Sequence, residues 1–216
     1  MSGLVLENVT IEAGSHTLLE AFDLTVASGE IVTLMGPSGA GKSSLLAWIA
    51  GTLPKGLEGR GRLTLDGQEL DQLPPEQRRL GLLLQEPLLF PHMSVAGNLV
   101  FAIPRHVKGR KIRQGKAEAA LAEVGLEGLG DRDPRTLSGG QKSRAALARC
   151  LLAEPRALLL DEPFVSLDSD LRAEIRNFVL ERARATGLPV LLVTHDQGDA
   201  LAAAGRVIEP WARSRS

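Results

Sequence analysis

From Gly36 to Ser44 the chain reads GPSGAGKSS, which fits Gly, four residues, Gly, Lys, Ser/Thr at every fixed position. Glycines at 36, 39 and 41, with Pro37, Ser38 and Ala40 between them, let backbone N–H groups turn inward around phosphate oxygens. Lys42 can then reach the β- and γ-phosphates of a nucleoside triphosphate, and the Ser43 hydroxyl is placed to ligate Mg²⁺, with Ser44 closing the stretch. Far downstream the apolar run Leu158-Leu159-Leu160 ends in Asp161-Glu162. Asp161 is suited to hold Mg²⁺, directly or through water; Glu162 is suited to accept a proton from an attacking water or to orient it. Removing a positioned general base typically costs ~10²–10⁴-fold in rate. Two other apolar runs end in a polar side chain. Gln85 follows GLLL and can ligate Mg²⁺ or hold the water; His195 follows VLLVT and can hydrogen-bond a γ-phosphate. A second glycine-containing stretch, Leu137-Ser138-Gly139-Gly140, precedes an Ala/Leu-rich run. It makes a helix N-terminus with little side-chain bulk, a good place for an anion. Whose phosphate it would hold, the residues alone leave open.

These groups need elements to place them. Ile31 to Met35 is a short apolar run that feeds Gly36, so the phosphate loop follows a buried strand; Ser43 to Ala50 reads as a helix closed by Gly51. LVLENVTI and TLLEAFDLTV read as strands, with a turn at Ala27-Ser28-Gly29-Glu30, and RLTLDGQEL as a strand with an Asp-Gly turn. Gly81 to Leu84, Ala157 to Leu160 and Val190 to Val193 are further continuous apolar runs, and Leu171 to Ala185 reads as a helix. Such alternation indicates an α/β fold with a mostly parallel sheet covered on both faces. In that architecture ligands gather at the carboxyl ends of the strands, where all these polar residues fall. Between Glu86 and about Pro155 helical patterns replace the strand runs. Ala117, Ala120, Leu121 and Val124 lie at helical spacing before Gly125, so this stretch reads as a helical insertion.

Bulk properties narrow the function. A chain of 216 residues can bury a sizeable core, and 44% hydrophobic with 24% charged residues is ordinary for a globular protein. The net charge of −1 gives no global pull toward nucleic acid or anionic lipid. The basic run RHVKGRKIR has no interleaved aromatics and reads as a solvated loop or helix face. No apolar stretch approaches the roughly 18 residues of a membrane span, and the start MSGLVLENV has no secretory pattern. The lone Cys150 excludes an intrachain disulfide framework and reads as a small apolar residue inside a helix.

Taken in order, the phosphate loop Gly36–Ser43, Gln85, Leu137-Ser138-Gly139-Gly140-Gln141, Leu158–Glu162, Ser166-Leu167-Asp168 and His195 resemble the motifs of an ABC transporter ATP-binding subunit, over nearly the whole chain. The resemblance implies a P-loop NTPase with a RecA-like core, an N-terminal antiparallel β subdomain and an inserted α-helical subdomain. It implies one ABC ATPase domain over residues 1–216, with core 1–85 and 156–216, helical signature subdomain 86–155 and no C-terminal regulatory domain. ATP and Mg²⁺ are the implied cofactors. It also answers the question left open at Ser138: two copies would pack head to tail, and Ser138, Gly139, Gly140 and Gln141 of one would hold the γ-phosphate of the other's ATP. Asp168 would help join the two sites. One copy of each motif implies a homodimer, held together by sandwiched ATP, that drives a membrane permease from the cytoplasmic face of the cell membrane.

Residues Glu86 to Leu99 resemble the importer form of this segment, with Leu88, Leu89 and Phe90 as candidates for the groove that takes a permease helix. The wording around Asp161 and His195 is similar to importers of thiamine, sulfate, ferric iron or polyamine, which implies an external solute-binding protein and no nucleic acid. An exporter or lipoprotein-release ATPase, or a non-transport ABC ATPase acting on nucleic acid or ribosomes, is the alternative. One departure concerns the base. Ala13 stands where relatives place an aromatic residue that stacks on adenine, so either His16 stacks or the contact is missing. A base–aromatic stack is worth ~1–3 kcal/mol in nucleic-acid binders, so GTP is expected to compete unusually well with ATP.

Overall fold

The computed structural model describes residues 3–167 and 169–211, without the side chains of Ser169 and Asp170; Asp168 therefore lies outside the described residues. The chain divides into two compact units.

The first unit takes in residues 1–82, 156–162 and 179–216. Its antiparallel sheet has the order β2-β1-β4-β5, with β1 Gly3–Ala13, β2 His16–Ala27, β4 Leu57–Leu65 and β5 Gln68–Glu69. The turn after Ala27 is closed by Glu30 N–H donating to the Ala27 carbonyl at 3.0 Å. The second sheet has the order β6-β7-β8-β3-β9: β6 Leu80–Leu83, β7 Ala157–Asp161, β8 Val190–Val193, β3 Ile31–Leu34 and β9 Arg206–Ile208. β3 runs parallel to β8 and to β9, and β7 runs parallel to β8. Every residue of β3, β7 and β8 is buried, which explains why these strands read as unbroken apolar runs rather than alternating ones. A single core cluster joins Leu4, Leu6, Ile11 and Leu63 of the antiparallel sheet to Val32, Leu159 and Leu191 of the parallel sheet, and to Leu45, Leu46 and Ile49 of helix α1, Lys42–Ala50.

Both ends of α1 are informative. Its C-terminus is closed by Gly51, and the Arg78 guanidinium, on the short helix α2 Pro75–Arg78, donates to the carbonyls of Trp48 and Ile49. Its N-terminus has a glycine, Gly41, as the flanking residue, no side-chain cap and no acid in the first turn.

The second unit takes in residues 83–155 and 163–178, so Pro163–Phe178 groups with the helical stretch rather than with the α/β core expected for it. It holds α3 Val95–Ala102, α4 Arg110–Glu123 and α5 Gly139–Leu152. Helix α6, Ser169–Ala185, begins here and ends in the first unit. Ala117, Ala120, Leu121 and Val124 are all buried, as their spacing predicts. α4 starts at Arg110, within the basic run, because Arg113 braces the end of α3. Its guanidinium donates to the carbonyls of Val100, Ile103, Pro104 and Val107. Cys150 is buried in α5, and burial pushes its thiol up to about 12.

Candidate functional site

The loop from Gly36 to Gly41 connects β3 to α1. Gly39 and Gly41 hold φ of +79° and +101°, conformations that L side chains rarely adopt, which is why glycine stands at both. Lys42 is 7 % exposed, and its ammonium donates to the carbonyls of Gly36 at 2.7 Å and Pro37 at 2.8 Å. An ammonium has three N–H donors, so one remains beyond these two bonds. An uncapped helix N-terminus beside a tethered cation is built to receive an anion.

Asp161 is the last residue of β7 and is 5 % exposed. Burial pushes its carboxyl above the ordinary value; a hydrogen bond from the Ser43 hydroxyl pulls it back, the Glu162 charge raises it further, and the Lys42 charge lowers it. Glu162 follows at a φ of +49°, the left-handed region, with its N–H donating to the Val193 carbonyl at 2.9 Å. A non-glycine residue held there costs roughly 1–2 kcal/mol. His195 lies two residues past β8, and its Nδ1 is 2.6 Å from Glu162 Oε2. That approach lacks the alignment of a hydrogen bond, so Oε2 is buried with no hydrogen-bond partner. The Glu162 carboxylate is thus set directly against a largely exposed imidazole.

Sequence reasoning missed what fixes His195. Thr194 is fully buried; its hydroxyl accepts from Asp196 N–H at 3.0 Å and lies 3.5 Å from Asp199 Oδ2. Asp196 in turn caps helix α7, Gln197–Ala203, by accepting from Asp199 N–H at 2.9 Å. The Asp-x-x-Asp spacing at 196–199 was the available signal.

The parallel sheet thus brings the phosphate loop, Asp161, Glu162 and His195 to one edge within the first unit. Gln85, exposed in a bend after β6, belongs to the second unit, as do Ser138 to Gln141. There, Ser138 caps α5 in a reciprocal box: its hydroxyl accepts from Gln141 N–H at 3.2 Å, while the Gln141 side chain accepts from Ser138 N–H at 3.0 Å. Gly139 faces open space. Ser143, on the next turn, shares a 2.6 Å hydrogen bond with Ser166 and so ties α5 to the stretch leading toward Asp168. His16, at the start of β2, is exposed and pairs in register with Ala13.

The residues present fit Mg²⁺ with a triphosphate. Among the described residues no group of three or more His, Cys, Asp or Glu can chelate a metal. Mg²⁺ ordinarily takes one or two carboxylates together with phosphate oxygens and water, which a Ser43 and Asp161 pair would provide.

Fold and site together define a phosphate-loop nucleotide-binding domain. Comparison with known proteins places it further. Residues 19–165 match the family model described as ABC transporter. An uncharacterized ABC transporter ATP-binding protein of Escherichia coli K12, YnjD, is 47% identical over 196 residues, covering 91% of this chain and 90% of that one. An Fe(3+) ions import ATP-binding protein, FbpC of Streptomyces avermitilis, is 42% identical over 205 residues, covering 95% of this chain and 59% of its own length. The solved dimeric structure of the ATP-binding cassette MJ0796, in a post-hydrolysis state bound to ADP and Pi, superposes with a TM-score of 0.83 at 28% identity, covering 96% of this chain and 95% of that one. The chain belongs to the ABC transporter family, whose ATP-binding domains hydrolyse ATP to drive transport.

Proposed function

We propose that this chain is the ATP-hydrolysing subunit of a solute importer, working as a homodimer at the cytoplasmic face of the cell membrane beneath a separate permease. The observation that carries the reading is the pairing, on one sheet edge, of an uncapped helix N-terminus and its tethered lysine with a strand end that holds Asp161 beside Ser43 and Glu162 beside His195. Backbone N–H groups of Ser38 to Ser44 and the Lys42 ammonium bind the phosphates. Ser43 and Asp161 would hold Mg²⁺, which when bound neutralises phosphate charge. Glu162 orients a water and takes its proton, and His195 hydrogen-bonds the γ-phosphate. Ser138, Gly139, Gly140 and Gln141 complete the pocket of the second copy.

The dimeric description of MJ0796 supports the pairing, and the FbpC relative's role in iron import supports the direction of transport. Thiamine, sulfate, ferric iron or a polyamine is the solute class, delivered by an external binding protein. Among the described residues no helix is long and apolar enough to cross a membrane. The permease's docking helix would meet the second unit near Leu88 and Phe101, which are 59% and 62% exposed, and Leu89. Phe90 anchors that surface, stacking edge-on to Phe101 with ring centres 5.1 Å apart and under the Arg149 guanidinium. Purification of the native complex from membranes tests the proposal. A copurifying multi-span permease is the expected result; RNA or DNA in its place contradicts the reading.

A further inference from the structure

Trp211 follows the last strand and lies 193 residues from its hydrogen-bond partner, yet it packs on the phosphate loop. Its indole N–H donates to the Leu18 carbonyl at 3.0 Å, and the residue is 8 % exposed. The ring covers Gly36 so closely that a Cβ there would meet Trp211 Cε3 at 2.9 Å. Leu18 does the same at the other end of the loop, where a Cβ on Gly41 would meet Leu18 Cβ at 3.1 Å. One hydrogen-bonded pair therefore presses on both glycines that bound the loop. Gly36 also supplies one of the two carbonyls that hold the Lys42 ammonium, so the position of its backbone sets the position of the charge.

We propose that Trp211 is a positioning residue for the phosphate loop: held by the Leu18 carbonyl, its ring pins Gly36 and keeps Lys42 aimed at the incoming phosphates. The proposal rests on reading Gly36–Ser44 as the triphosphate site. The ring packs against Gly36 and acts through it. It also forms one wall of a cavity of about 710 Å³ lined by Thr17 to Asp23 and Ile208 to Trp211. That open space gives the segment room to relax away from Gly36 once the bond to Leu18 is lost. The loop would then have to be reordered on binding, which weakens affinity without touching the groups that act on water.

Affinity for ATP, measured by calorimetry in a Glu162→Gln background, tests this. Trp211→Phe keeps an aromatic ring but has no N–H donor, and should weaken binding about three- to tenfold, the worth of one hydrogen bond read as affinity. Trp211→Ala loses both contacts and should weaken it further. In the background with Glu162 intact, KM for ATP should rise more than kcat falls. Ile11→Val, a core truncation in β1, supplies a control for stability alone: it should lower Tm and leave affinity unchanged. Where Trp211→Ala does not fold, Trp211→Phe carries the test. If Trp211→Phe binds ATP as tightly as the parent, or no more weakly than Ile11→Val at equal loss of Tm, the proposal is overturned. If Lys42→Ala binds ATP with undiminished affinity, the reading of the loop itself fails instead.

Discussion

Two helix N-termini carry the phosphate chemistry assigned to this chain, and they are built in opposite ways. α1 begins at Gly41 with no side-chain cap and no acid, and a lysine ammonium is tethered beside it. α5 begins at Ser138 with a complete capping box, which satisfies the N–H groups of Ser138 and Gln141, and has open space over Gly139. The first mouth lacks its own satisfaction and gains it from a ligand; the second is stable unaided and has only a short, unobstructed edge to offer. An anion site that must bind alone resembles α1. In the proposed dimer, the end that completes the other copy's pocket is α5, whose capping box keeps its shape without a nucleotide.

That contrast can be broken most forcefully at the chemistry beside α1. Glu162→Gln should lower ATP turnover by ~10²–10⁴-fold while ATP still binds, measured as phosphate release against nucleotide affinity. Lys42→Ala should come next, weakening ATP affinity by about ten- to a hundredfold, because it removes a charge-assisted hydrogen bond from a buried position. Ser138→Ala should behave differently from both. It costs about 1 kcal/mol of stability as a lost cap, visible in denaturant unfolding. Ser138→Gly should recover most of that stability. Ser138→Ala unfolding at the parent's denaturant midpoint would show that the box is not what holds the helix end.

The smallest effect sharpens the comparison through pH. A carboxyl raised above its ordinary value in the folded state contributes stability that is fully present below 3.8 and is lost as pH rises through the higher folded value. At neutral pH that contribution is diminished, and Asp161 weighs against the nucleotide-free fold. Asp161→Asn should therefore raise Tm at pH 7, and the gain should shrink toward pH 4, while hydrolysis is lost. No such gain is expected at the self-satisfied α5 end.

Much of this was legible in the chain. The unbroken apolar runs of β3, β7 and β8 announced a sheet covered on both faces, and the glycine spacing around Lys42 announced the loop that follows β3. The Ser-Gly-Gly-Gln spacing at 138–141 carries a capping signal as well as an anion-site signal. Other features left no local trace. The start of α4 at Arg110 depends on Arg113 finding four carbonyls around the end of α3, and the charged run hid it. The left-handed backbone at Glu162 follows from how the strand leaves the sheet, not from its residue type. The contact of Trp211 with Leu18 and Gly36 joins segments that only tertiary structure brings together.

Complementation between two disabled copies tests the central claim most directly. Lys42→Ala removes the receiving mouth, and a bulky Ser138→Phe obstructs the completing one; each protein alone should hydrolyse no ATP. Mixed, they should regain activity, because in the heterodimer one pocket pairs an intact phosphate loop with an intact α5 end. A mixture that stays inactive while both variants remain folded would contradict the account.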